Sequence, residues 1–135
     1  MRKSIAVVSL LVLALVLGAG IGFTQWQQAR AQDSFMVVEH ATTDTVVDLG
    51  DKGDSIGDTL TFANDLYDDQ DANVVGSSSG TCWRTKPGKT WECTWTNTLA
   101  DGSIVVQGPF NDSGDSTLAV TGGTGKYNGA SGEMK

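Results

Sequence analysis

Histidine is almost absent. His40 stands alone among 135 residues, which removes most Ser-His-Asp arrangements and histidine-based metal sites. At the end of a strand it reads as an ordinary surface residue. Basic side chains are scarce beyond position 31: Lys52, Arg84, Lys86, Lys89, Lys126 and Lys135 are six against all sixteen acids of the chain, a net charge of −10. Such a surface repels phosphate backbones and anionic lipid, which argues against nucleic acid as a partner. Helical periodicity is missing past the N-terminal segment, so helical bundles and alternating α/β folds drop out. Two further absences concern ligands. A phosphate loop needs glycine, four residues, then Gly-Lys-Ser/Thr, but Val120 stands at the first position and Tyr127 follows Lys126. A helix–loop–helix calcium site starting at Asp69 needs glycine sixth and glutamate twelfth, where this chain has Val74 and Gly80. The acids Asp65, Asp68, Asp69 and Asp71 read as a solvated loop, and neither a metal nor a cofactor is expected.

The chain opens on an export segment. Arg2 and Lys3 precede an apolar run from Ile5 to Leu17, and Ala29-Arg30-Ala31 has the small-x-small form of a cleavage site. Cleavage before Gln32 leaves residues 32–135 as one small domain. The alternative is an uncleaved anchor spanning a bilayer over Ile5 to Phe23, which would be the chain's sole membrane contact. Both readings make the remainder extracellular.

Strand chemistry fills the remainder. Phe35 to Thr42 reads as a first strand with Val37 and Glu39 on one face, and Val46-Val47 as a short second. Thr59 to Tyr67 alternates most clearly, placing Leu60, Phe62, Asn64 and Leu66 on one face. Asn64 therefore interrupts an apolar row. It is either pinned by backbone or positioned toward a ligand, because a buried amide without hydrogen bonds is costly. Threonine- and tryptophan-rich arms flank Pro87-Gly88, and Cys82 lies five residues before that pair and Cys93 five after. A hairpin centred there sets the two sulfurs on opposite residues, within bridging reach; two buried thiols are the other reading. Cys82, Arg84, Trp91, Cys93 and Trp95 then share one face. Asp101-Gly102 signals a further hairpin. Ser103 to Phe110 and Leu118 to Tyr127 follow, the latter bent at Gly122, Gly123 and Gly125. Closely spaced strands with turn chemistry between them predict an all-β sandwich or barrel.

Several runs resemble the allene oxide cyclase family: Phe62-Ala-Asn-Asp-Leu-Tyr67, Val75-Gly76, Gly80-Thr-Cys82, Val106-Gln-Gly-Pro-Phe110, Leu118-Ala-Val-Thr-Gly-Gly-Thr-Gly125 and Tyr127-Asn-Gly-Ala130. The resemblance spans residues 58–135 and implies an antiparallel, up-and-down, eight-stranded barrel of the dirigent-like superfamily, often trimeric, with an apolar cavity open at one end. The chain reaches Lys135 where that pattern begins its penultimate strand, so the last strands are expected to be missing. The resemblance also implies a secreted barrel that binds a small apolar molecule, fatty-acid-derived or phenolic. Any catalysis would be isomerase-like, steering cyclisation by positioning rather than by a strong acid or nucleophile. A non-catalytic dirigent-like or structural module is the alternative. By the same resemblance Leu60, Phe62 and Cys82 line the cavity, Asn64 helps hold a water near the reacting group, and Glu39 falls on the family's acidic position.

Overall fold

The computed structural model describes residues 34–135; the expected signal segment, residues 1–31, lies outside them. β1 (Val38–His40) and β2 (Thr45–Val47) lie end to end along one edge of β3 (Thr59–Tyr67). Beyond β3 the strands follow in chain order: β4 (Val74–Lys86), β5 (Thr90–Leu99), β6 (Gly102–Asn111), β7 (Leu118–Gly123) and β8 (Gly132–Met134). Every pairing is antiparallel, the up-and-down order expected. The expected first strand is shorter than its apolar pattern suggests, because the chain turns away after His40. Among the described residues β8 pairs with β7 alone, and no ladder joins it to β1 or β2. The sheet is nonetheless strongly curled, since Asn97 Nδ2 on β5 reaches Met134 Sδ on β8 at 3.9 Å.

The Cys82–Cys93 disulfide forms, by a route the sequence pattern does not give. The β4–β5 turn holds three residues, Pro87 to Lys89, instead of the two expected, and Lys86 faces Thr90. A bulge at Thr85 absorbs the extra residue, so Arg84 faces Trp91 and Cys82 faces Cys93 with Cα atoms 4.0 Å apart. The next hairpin also departs from expectation: its two-residue turn is Ala100-Asp101, and Gly102 already pairs with Leu99.

Register then sorts the interior into rows that run across the strands. From one end they are Leu66, Gly76 and Leu99; Asn64, Ser78, Asn97 and Ile104; Phe62, Gly80, Trp95 and Val106; Leu60, Cys82, Cys93 and Gly108; and Arg84, Trp91 and Phe110. Cys82, Trp91, Cys93, Trp95, Val106 and Leu118 form the buried cluster, with Leu60, Phe62, Ile104, Val120 and Met134 packed against it. Gly80 is where this packing forbids a side chain. A Cβ there would overlap that of Trp95, and its absence lets Phe62 meet Trp95 edge-on, ring centroids 5.9 Å apart. Trp83, on the opposite parity, is exposed on the outside.

The end bearing the Arg84 row is sealed. Arg84 is 8% exposed. Its Nη1 donates to both oxygens of Asp112 at 2.7 and 2.8 Å, Nε lies 2.6 Å from Asp54 Oδ1, and the guanidinium sits 3.8 Å above the Trp91 ring. A buried guanidinium needs such partners to offset its desolvation. Asp58 ties the covering loop down: its buried carboxylate accepts from Leu49 N at 2.7 Å and Ser55 N at 2.8 Å. The Ser55 and Leu49 backbone N–H groups hold the Asp58 carboxyl below its ordinary value of 3.8.

Two outcomes follow. Replacing both cysteines with alanine opens a link of sequence separation 11 and should lower the unfolding free energy by about 3 kcal/mol, read from the urea midpoint. An unchanged midpoint would show that strand pairing alone holds the register. Because the Asp58 carboxyl is depressed in the folded state, its stabilisation is present above the ordinary carboxylate range and is lost as pH falls through the folded value. Asp58→Asn should therefore lower the melting temperature at pH 7 and flatten its fall between pH 4 and pH 2; an unaltered acid profile would refute this role.

Candidate functional site

The other end of the sheet is open. The lead into β1, the β3–β4 turn, the β5–β6 turn and the exit of β7 all arrive there, because antiparallel alternation returns every second connection to the same end. They surround a hollow of about 420 Å³ lined by Phe35, Met36, Val37, Leu99 and Tyr127, with Asp68, Asp69 and Asp101 among its polar margin. Phe35 and Tyr127 approach from opposite edges of the sheet, ring centroids 6.0 Å apart, and span the gap between β1 and β8 at this end. Tyr127 is brought there by the glycines. A short 3₁₀ turn, Gly125–Tyr127, begins at a residue with φ of 58°, where an added Cβ would strike the Asp101 carbonyl. Only glycine lets the chain cross so closely over the β5–β6 turn, and Lys126 N bonds to Asp101 O at 2.8 Å.

Asn64 sits two rows below this mouth, 2% exposed. Its Oδ1 accepts from Thr42 N, Thr43 N and Thr43 Oγ1 at 3.1, 3.0 and 2.8 Å. Its Nδ2 donates to Glu39 Oε1 at 2.8 Å and Asp44 Oδ1 at 3.0 Å. Both amide protons are used, so nothing remains to donate to a water. Of the two readings open in the sequence, pinning is the one that describes this side chain. Asn64 holds the corner between β1 and β2, and through that corner it fixes Glu39. Glu39 pairs with Leu66 and shares its inward face, yet remains exposed. Two residues earlier on the same face, Val37 lines the mouth.

The remaining expected residues divide. Leu60 and Phe62 lie inside, half-buried against the core. Phe62 also borders a second hollow of about 300 Å³ at the β3 edge with Thr43, Thr61 and Ala63. Cys82 is buried and its sulfur is bonded to Cys93. Sequence reasoning passed over Ser78 and Asn97, which flank each other beside Asn64. Parity could have found them, since Ser78 is four residues from Cys82 and Asn97 four from Cys93 along extended strands. The acidic loop is occupied by its own structure. Asp68 accepts from Ala72 N and Asn73 Nδ2, each at 2.8 Å, which lowers its pKa, the Ala72 N–H being the main cause. Asp71, at φ 56°, lies 2.7 Å from His40 Nε2.

Over residues 29–135 the chain matches the allene oxide cyclase family. A solved structure described as a pyocyanin demethylase superposes with a TM-score of 0.64 at 28% identity, covering 72% of this chain and 82% of that one.

Asn64→Leu removes the acceptor from Thr42 N and Thr43 N and leaves Glu39 unheld. It should cost at least about 2 kcal/mol, measured by denaturant unfolding, whereas Glu39→Gln, which keeps the Oε1 acceptor, should change stability by less than about 0.5 kcal/mol. Equal losses in the two variants would contradict the pin.

Proposed function

The chain belongs to the allene oxide cyclase family, and on that premise we propose that its barrel admits a small apolar molecule end-on and steers it by position. The carrying observation is the inequality of the two ends: Arg84, Asp54, Asp112 and Trp91 close one, while the other holds a hollow of about 420 Å³ with an aromatic and aliphatic lining. That is the form of a small-molecule site, apolar with a few placed polar groups. Glu39 is the group that would take a proton, held by Asn64 at the wall and open to solvent. His40, next to Glu39 in the strand, faces the other way and is held by Asp71, so rate enhancement would come from orientation. The disulfide supports placing the protein outside the cell, where such bonds persist.

Electrostatics narrows the occupant. Asp68, Asp69 and Asp101 stand at the mouth and Glu39 and Asp44 lie below it, so a carboxylate entering head-first meets like charge. A neutral or cationic flat molecule fits better than a free fatty-acid anion. The substrate named for the pyocyanin demethylase neighbour supports that side.

Pyocyanin should raise the melting temperature in a concentration-dependent way, as any ligand selective for the folded state does, and linolenate should not. Tyr127→Ala should weaken the pyocyanin effect several-fold. No shift with either compound would dispose of the end-on reading, and a shift with linolenate alone would reverse the preferred class.

A further inference from the structure

One interior row carries a polar group that has no partner among the described residues. Ser78 is wholly buried, and its Oγ has no hydrogen-bond partner among the described residues. Its cross-strand neighbour on one side, Asn64, is saturated by the β1–β2 corner. On the other side is Asn97, 9% exposed, whose Nδ2 reaches the weak thioether acceptor of Met134 at 3.9 Å. A buried hydroxyl left unpaired gives up its water without replacement, and native proteins rarely keep one. Alanine or valine in this row would pack without that cost. The surroundings favour a specific use. Leu66 and Leu99 form the row toward the mouth, and Leu99 lines the mouth itself. The row beneath holds the edge-on pair Phe62 and Trp95.

We infer that Ser78 and Asn97 are the specificity-determining pair of the barrel, seating one hydroxyl or carbonyl oxygen of a neutral ring compound whose apolar body lies in the mouth hollow against Leu99 and whose entry displaces Met134 from Asn97. This rests on the mouth being the entrance, and it names the class of molecule that enters: a phenol or ketone rather than a hydrocarbon or a carboxylate. The Ser78 hydroxyl donates to the ligand oxygen, and the Asn97 carboxamide supplies a second hydrogen bond in place of its contact with Met134. Carboxylates are disfavoured by Glu39 and Asp44, both held on Asn64 in the same row. Discrimination by such a seat is strong, because a molecule lacking the oxygen leaves the Ser78 hydroxyl unpaired and Asn97 with only the weak thioether acceptor of Met134.

The test compares 2-naphthol, naphthalene and 2-naphthoate by equilibrium dialysis against the whole protein, its Ser78→Ala and Asn97→Leu variants, and the ligand-free melting temperature of each. Wild type should bind 2-naphthol about tenfold or more tighter than naphthalene, with 2-naphthoate weakest. Ser78→Ala should cut the naphthol preference to below about threefold while naphthalene binding persists. A merely structural serine would not move that ratio. Without ligand, Ser78→Ala should melt no lower than wild type, since it removes an unpaired group. Equal binding of naphthol and naphthalene by wild type, a preference unchanged in both variants, or a clearly lowered melting temperature in Ser78→Ala would each overturn the seat alone. Binding of none of the three probes would overturn the entrance, and the seat with it.

Discussion

Parity in the β4–β5 hairpin decides which side chains this protein keeps inside. Strand side chains alternate with period two, so without the bulge Arg84 would face Glu92 and Cys82 would face Thr94, and Cys82 and Arg84 would lie on the opposite face from Trp91, Cys93 and Trp95. The bulge at Thr85 prevents that mismatch despite the longer turn, and the disulfide locks the result covalently. Neighbouring strands inherit the setting through continuous ladders. Gly80 then finds itself between Phe62 and Trp95, and Arg84 finds itself over Trp91 at the sealed end.

With parity fixed, the difference between the two ends follows from local chemistry. One end receives the loops that carry Asp54, Asp58 and Asp112, and these meet a buried arginine. The other receives Phe35, Tyr127, a two-residue turn and the acids Asp68, Asp69 and Asp101, with no buried cation there, among the described residues, to draw those acids together. The same chain thus makes a plug and a mouth from short connections of opposite character. Asn64 belongs to this division. By spending all its hydrogen bonds on the corner between β1 and β2, it turns an exposed edge ribbon into a wall and sets Glu39 on the inner side of it.

The family relationship and the geometry speak to different levels. Membership in the allene oxide cyclase family covers residues 29–135, and the up-and-down sheet over that span is seen directly. The chemistry inside this barrel is set by residues particular to its rows. A bridged Cys82 offers no thiol, and a saturated Asn64 offers no donor. Among the described residues, groups near the mouth with hydrogen-bonding capacity left include Glu39 at the wall and the buried Ser78 hydroxyl.

Much of the fold was legible in the chain itself, because alternation is a local signal. Leu60, Phe62, Asn64 and Leu66 announce an inward face, and the even flanking of Pro87-Gly88 by the cysteines announces their pairing. The all-β class follows from the same period and from the missing helical one. What the sequence could not decide was how each polar side chain is partnered, since those partners lie far along the chain: Asn64 with Thr43 and Glu39, Arg84 with Asp54 and Asp112. The turn lengths also escaped it, because a bulge and an extra turn residue cancel in spacing. Only the curled sheet settles these matters, by bringing β1 and Tyr127 to one end and leaving Ser78 in the interior with no partner among the described residues.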